Sequence, residues 1–451
     1  MGHPGRISRD VETLFGRADP DFVRFDPGED GNRVLWVVAS HVNVPKGKFA
    51  QTRIFSRIRG AKLLLNCAEN SWYQVGVGGD FTSIATLVAA VGRLSEGFQR
   101  AHFIGHSMGA YLALALAHSF DRGGHFLATS PEAVLGGPAT RSQDNGVVPT
   151  GDWGDLIARF GAAAPKTPGV TLFGAHDPVD ALFLSGLDQA GAFYGEVAVA
   201  PHHHGVTEYL TGQRHYRPFL LSPCKGLKQA REKGWVLDCH MAGRTAQFGL
   251  FNKAYRLLRA GDSAALDAVQ ADADWANPGW QALRAEVLRK AGHPEQALVA
   301  ACSADRAAPG RPSYLRERAR ALVALGDAGG AVAMARDLRE RTHPKFRRVL
   351  VELEASGLLG AAPDLPDWLS SRVALAAVRD AAARRGGLPD LAREVLVHLA
   401  RLEDRPDLLD AAFQVVLDAG LRRSALACAE RLSAPGAAGL EQRIRALMPR
   451  A

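Results

Sequence analysis

The chain has 451 residues, 47% hydrophobic and 22% charged, ordinary proportions for a protein that buries a core and enough for two domains of about 100–200 residues each. This excludes a wholly disordered or collagen-like protein, and no uninterrupted apolar run of about 18 residues exists to span a membrane. The formal net charge of +7 comes from basic residues scattered among acids at helical spacing, the pattern of a solvated helix surface, so no nucleic-acid partner is expected.

The five cysteines, Cys67, Cys224, Cys239, Cys302 and Cys428, are odd in number, far apart and without a CxxC pair. Reduced thiols and a cytoplasmic location are therefore expected. No apolar stretch of signal-peptide type follows Met1, so no secretory leader is expected either.

In chain order, Phe22–Phe25 reads as a strand entering the turn Pro27-Gly28-Glu29-Asp30. Arg33–Ser40 is a continuous apolar run of the kind buried on both faces of a sheet. Further strands are predicted at Lys62–Asn66, Ala101–Gly105, His125–Thr129, Val170–Phe173 and Gly195–Ala200. Helices are predicted between them at Ser83–Leu94, Met108–His118, Asp155–Ala162, Val179–Ala190 and Val206–Thr211. Strand–helix alternation on this scale implies a mostly parallel, doubly wound α/β sheet.

Past residue 243 the strand signal stops, and an internal repeat is readable. Leu288-Arg-Lys-Ala-Gly292 aligns with Leu322-Val-Ala-Leu-Gly326, and the same offset of about 34 residues relates Trp280 to Tyr314 and Ala285 to Ala319. Small residues where two helices cross, and Gly in the turn between them, imply an all-α helical-repeat domain. Further helices are expected at Phe248–Ala260, Arg372–Arg385, Leu391–Leu402, Leu408–Asp418 and Ser424–Leu432. The predicted division is residues 1–217 for the α/β domain, 218–242 for a connector and 243–451 for the helical domain, which is expected to bind a protein partner or to self-associate.

The chemistry concentrates where Phe103-Ile104-Gly105-His106-Ser107-Met108-Gly109 runs from a buried strand into a helix. Two glycines permit a sharp turn that lifts the Ser107 hydroxyl above the sheet, beside the partial positive charge of the helix N-terminus. After the Val170–Phe173 strand come Asp177 and Asp180; an acid there can orient an imidazole, and Asp177 is the choice with Asp180 in reserve. After the next strand come His202, His203 and His204, any of which could act as general base. His204, directly before a helix, is favoured and His203 is second. Adjacent residues in extended chain point to opposite faces, so the three chelate poorly and no metal or other cofactor is expected.

In this Ser…Asp…His order, residues 22 to about 212 resemble the α/β-hydrolase superfamily, and the C-terminal half resembles tetratricopeptide-type helical repeats. The resemblance implies a serine hydrolase with a catalytic triad, and an oxyanion hole formed by the backbone N–H of Met108 and a second donor from the loop Ser40-His41-Val42-Asn43. Val42 is the choice for that donor, with His41 as the alternative. Trp72 and Tyr73 follow a strand end and are expected to line a substrate pocket. Between Pro131 and Phe160 only a flexible loop and one short helix are expected, leaving an open cleft.

The first reading is an esterase, thioesterase or acetylhydrolase acting on a small-molecule, glycan or lipid ester through an acyl-enzyme on Ser107. The second keeps the triad but transfers the acyl group to a sugar or polymer hydroxyl. The third is a protein-interaction scaffold with a non-catalytic hydrolase fold.

Overall fold

The computed structural model describes residues 14–28, 33–238, 244–339, 398–402, 406–419 and 421–430, with isolated positions between 349 and 442. The chain divides into two compact units, Met1–Val287 and Leu288–Ala451.

The first unit is built on an eight-stranded sheet. Its strands are β1 (Val23–Asp26), β2 (Val34–Ala39), β3 (Ala61–Leu65), β4 (Arg100–His106), β5 (Phe126–Thr129), β6 (Gly169–Gly174), β7 (Glu196–Ala200) and β8 (Leu237–Asp238). They lie in the order β1-β3-β2-β4-β5-β6-β7-β8. The edge strands β1 and β8 run antiparallel to their neighbours, and the six between them are parallel.

Both faces are covered, and side chains alternate between two cores with the period of an extended chain. Leu35, Val37, Phe103, Phe173 and Val199 enter the core beneath the helices Ile84–Ser95, Met108–Ser119 and Pro178–Ser185. Trp36, Val38, Ile104, Leu172 and Ala198 enter the opposite core. That second core is closed by Val206–Gly212 and by two helices, Tyr216–Leu221 and Pro223–Glu232, in the stretch read from sequence as connector. Pro223 stands in the first turn of its helix, where a missing N–H is harmless, so it starts a helix here and does not mark a linker.

A second difference concerns residues 244–287, assigned above to the helical domain. Helix Arg244–Ala260 packs on the first unit, with Phe248, Phe251 and Ala254 in the same core as Phe183 and Leu184. Asn252 Nδ2 donates to Pro178 O at 3.0 Å and Asn277 Nδ2 to Ala175 O at 2.7 Å. The backbones touch at Gly279, where an added Cβ would stand 2.1 Å from His176 O. An Ala-rich amphipathic helix carries no mark of which neighbour its apolar stripe will meet, so the boundary is not legible from periodicity.

Within the second unit, helices Pro294–Ala307, Pro312–Leu325 and Ala328–Arg339 follow one another through short turns. Gly292 (φ +80) and Gly326 (φ +69) make the left-handed turns at the two aligned repeat positions. Ala331, Met334 and Ala335 bury against Leu315, Ala319 and Leu322. Further along, Pro406–Asp418 and Arg422–Ala429 share a core. The stretch predicted as helix at Arg372–Arg385 lies outside the described residues. No helix among the described residues is long and apolar enough to cross a membrane.

At the opposite end of the sheet from Ser107, Trp36 stacks on His102 with ring centroids 4.2 Å apart, and His102 meets His125 at 3.9 Å. His102 Nδ1 accepts from His125 N, and His125 Nε2 donates to Leu220 O. Burial, then His125 and Arg100, pulls His102 down to about 3, and burial pulls His125 down to about 4. Both rings are neutral when folded, whereas in the unfolded chain they protonate near 6.5. Their contribution to stability is therefore complete above about pH 6.5 and is lost as pH falls toward 3. His102→Gln is expected to flatten the dependence of the urea midpoint on pH between 6 and 4 by up to one bound proton. A variant keeping the wild-type slope would show that the pair does not drive it.

Candidate functional site

Parallel strands bring their C-terminal ends to one edge, and the strand order reverses between β2 and β4, the place where open α/β sheets leave a crevice. Ser107 stands there, directly after β4 and before helix Met108–Ser119. Its backbone is strained, at φ 54 and ψ −120, and its N–H donates to Thr129 O at 2.8 Å. Positive φ at a non-glycine residue costs about 1–3 kcal/mol, persists only where the surroundings enforce it, and concentrates at functional sites.

The two flanking glycines explain how the turn closes. A Cβ on Gly105 would lie 2.0 Å from Gly109 O, and one on Gly109 would lie 2.2 Å from Ala39 O. The helix therefore seats its first turn against both β4 and the end of β2. Met108 N–H, at the start of that helix, has no intrahelical acceptor available. The loop after β2 begins beside it. His41 Nδ1 lies 2.8 Å from Val42 O, and Asn43, at φ 61, donates its N–H to Asn70 Oδ1. These contacts hold the turn that carries Val42.

His204, after β7, is anchored through its own carbonyl, which accepts from Ser130 Oγ at 3.0 Å. Ser130 follows Thr129, the residue that accepts from Ser107 N–H, so the end of β5 is hydrogen-bonded to both the Ser107 and the His204 segments. The His204 ring lies 5.1 Å from that of His106, which precedes Ser107, and the His41 ring lies 5.9 Å from that of His106. Burial, then His204 and His41, keeps His106 neutral and well below its ordinary range. His106 Nδ1 pairs with Thr129 Oγ1, so this ring packs and braces the turn.

The acid beside His204 is Asp180, the reserve candidate. Asp180 Oδ1 lies 2.9 Å from His204 Nδ1, and its Oδ2 accepts from Gly174 N at 2.7 Å. The carboxylate is 1% exposed. Asp177, chosen from sequence, is otherwise engaged. Its Oδ1 caps helix Pro178–Ser185, accepting from Val179 N and Asp180 N, and its Oδ2 accepts from Arg141 Nη2 at 2.6 Å. The Asp-Pro pair at the helix start is the sequence signal for this, because Asp is a preferred N-cap and Pro a preferred first helical residue. One turn further on, Asp180 faces inward.

A carboxylate only accepts, so the neutral His204 ring carries its proton on Nδ1, and Nε2 presents a lone pair. That Nε2 is buried without a hydrogen-bond partner; it is therefore not bonded to Ser107 Oγ. His202 and His203 turn elsewhere: their rings meet at 4.2 Å, tilted by 40°, and His203 Nδ1 accepts from Gly205 N.

Arg141 falls in the stretch between Pro131 and Phe160, where the sequence reading expects a flexible loop and gives it no role. It lies on the short helix Arg141–Asp144, whose first two N–H groups donate to the two oxygens of buried Glu132. Its guanidinium bonds Asp177 and places Nη1 3.6 Å from Asp180 Oδ1. Burial alone would raise Asp177, but Arg141 and His204 hold its carboxyl far below the usual range. Asp177, Asp180 and His204 bring ligand atoms within 4.8 Å of one another, the spacing of a cation site, and the guanidinium is the cation held there. The segment 131–160 is accordingly fastened down: Thr150 bonds Gln74, Tyr111 Oη bonds Trp153 O, and Arg259 pairs with Asp144.

Trp72 and Tyr73, expected to line a pocket, are both fully buried in the core. Their φ values of 52 and 60 turn them inward, and Tyr73 Oη lies 3.1 Å from Ser40 O and 3.2 Å from Leu65 O. They prop the strand ends and present no stacking face. A cavity of about 330 Å³ opens by the ends of β6 and β7, lined by His176, Pro201, Phe248 and Trp275 among others. None of Ser107, Asp180 and His204 lines it. Comparison with protein-family models, with curated proteins and with solved structures finds no match for this chain.

Proposed function

We propose that the first unit is a serine hydrolase of the α/β-hydrolase type, cleaving an ester or thioester through an acyl-enzyme on Ser107. The observation that carries this reading is the orientation of His204: Nδ1 is held by a buried carboxylate, Nε2 is left as an unpartnered base, and the ring stands 5.1 Å from that of His106, the residue before the strained Ser107. In the reaction, Ser107 Oγ attacks the acyl carbon while His204 Nε2 takes its proton. The oxyanion accepts from Met108 N–H and Val42 N–H. His204 then returns the proton to the leaving oxygen or sulfur, and water, activated by the same Nε2, releases the acid. Asp180 holds the ring and compensates the transient imidazolium.

The chemistry needs only this chain's own side chains and backbone N–H groups, without a cofactor. The helical residues of the second unit serve partner binding or self-association. Free thiols at Cys67, Cys224 and Cys302 support a reducing, cytoplasmic setting. A panel of p-nitrophenyl esters from acetyl to long acyl, run on the wild-type protein and on Ser107→Ala, tests the reading. Turnover by the wild type that falls at least about a thousandfold in the variant is expected. No turnover of any ester or thioester by the wild type, or equal turnover by both, would contradict it.

A further inference from the structure

Two buried carboxylates stand within reach of one imidazole, which is one more than its orientation requires. We propose that Arg141 is a positioning residue that claims Asp177 and so leaves Asp180 as the only carboxylate serving His204. This rests on the serine-hydrolase reading above.

The placement is built in. Glu132, 2% exposed, fixes both N–H groups at the start of the Arg141 helix. The arginine side chain then runs to Asp177 Oδ2, whose other oxygen is consumed by the helix cap. Arg141 Nη1 reaches Asp180 Oδ1, the oxygen that also faces His204 Nδ1, without a hydrogen bond of its own. Among the described residues, the charged and titratable groups around His204 are thus Asp180, Asp177, Arg141, Glu132 and His106, with His41 next to His106 and Tyr255 next to Asp177 and Arg141. Of these, Arg141 is the cation that offsets the second carboxylate. Without it, two negative charges would face the ring and hold its proton, and the base would be protonated to higher pH.

The test compares Arg141→Gln, Arg141→Lys, Asp177→Asn and the double variant Arg141→Gln/Asp177→Asn in the full chain. Two readouts are taken against pH: the rate of covalent labelling by a fluorophosphonate, and the NMR shift of the His204 ring protons. The second reads the imidazole whether or not any chemistry occurs, so absence of wild-type labelling would overturn the functional reading without deciding this one. Arg141→Gln is expected to move both midpoints up by about one pH unit or more. Arg141→Lys should move them less, because it keeps the charge but loses the paired geometry.

The double variant removes one positive and one negative charge, and its midpoints should return to within about 0.3 of wild type. A merely structural arginine would not be rescued in this way. Should Arg141→Gln not fold, Asp177→Asn alone decides, with midpoints expected to move down as the freed guanidinium turns to Asp180. Unmoved midpoints in Arg141→Gln, a double variant as displaced as the single, or an unmoved Asp177→Asn would each overturn the proposal.

Discussion

Asp180→Asn is expected to slow covalent modification of Ser107 by about 10³–10⁴-fold at the pH optimum, whereas Asp177→Asn is expected to slow it by less than about tenfold. An amide at 180 can donate to His204 Nδ1, which moves the ring proton to Nε2 and leaves no base for the serine. An amide at 177 can still accept from Val179 N and Asp180 N, so its cost falls mainly on stability through the lost pairing with Arg141. That loss leaves the partly buried guanidinium with Asp180 alone as its ion-pair partner, and a fall in the thermal midpoint should accompany it. Single-turnover labelling of the two variants separates the roles. A larger rate loss at 177 than at 180 would reassign the acid.

Gly109→Ala carries the second largest expected effect. Its Cβ would meet Ala39 O at 2.2 Å and Ala39 C at 2.7 Å, and a backbone carbonyl in a paired central strand cannot rotate away. Separating the helix from the end of β2 would also disperse Met108 N–H and the 40–43 loop. A loss of about 3 kcal/mol or more in urea unfolding is expected, together with loss of labelling. Gly191→Ala is the control. Its backbone is already right-handed helical, at φ −56, and nothing lies within 4 Å of an added Cβ. It should change stability by less than about 1 kcal/mol and in the stabilising direction. Equal losses in the two variants would show that the contact at Gly109 is relieved at little cost.

The parallel strands were legible in the sequence because burial on both faces leaves a continuous apolar run that few other structures produce. Ser107 was legible for the same reason: a buried strand ran into its turn. The carboxylate that pairs with His204 was harder. Both Asp177 and Asp180 follow β6, and only the capping chemistry of Asp-Pro, set against the inward face of the next helical turn, separates them. Arg141 was invisible because its side-chain partners, Asp177 and Asp180, lie 36 residues or more along the chain. A polar run beside prolines and glycines reads as solvated loop until its backbone is seen to be held by Glu132. Trp72 and Tyr73 misled because exposure was inferred from their position after a strand end. Their positive φ, which sends them into the core, has no local sequence mark in non-glycine residues. Helix Arg244–Ala260 looked like its neighbours downstream because its destination is decided by Asn252 and Phe251 meeting helix Pro178–Ser185.

The most direct measurement is the site of covalent modification. The 451-residue chain would be treated with a fluorophosphonate at neutral pH, digested, and its peptides read by mass spectrometry. A single stoichiometric adduct on Ser107, absent after prior unfolding and absent in His204→Ala, is the predicted result. An unmodified Ser107 in folded protein, or an adduct on another residue that survives Ser107→Ala, would contradict the account.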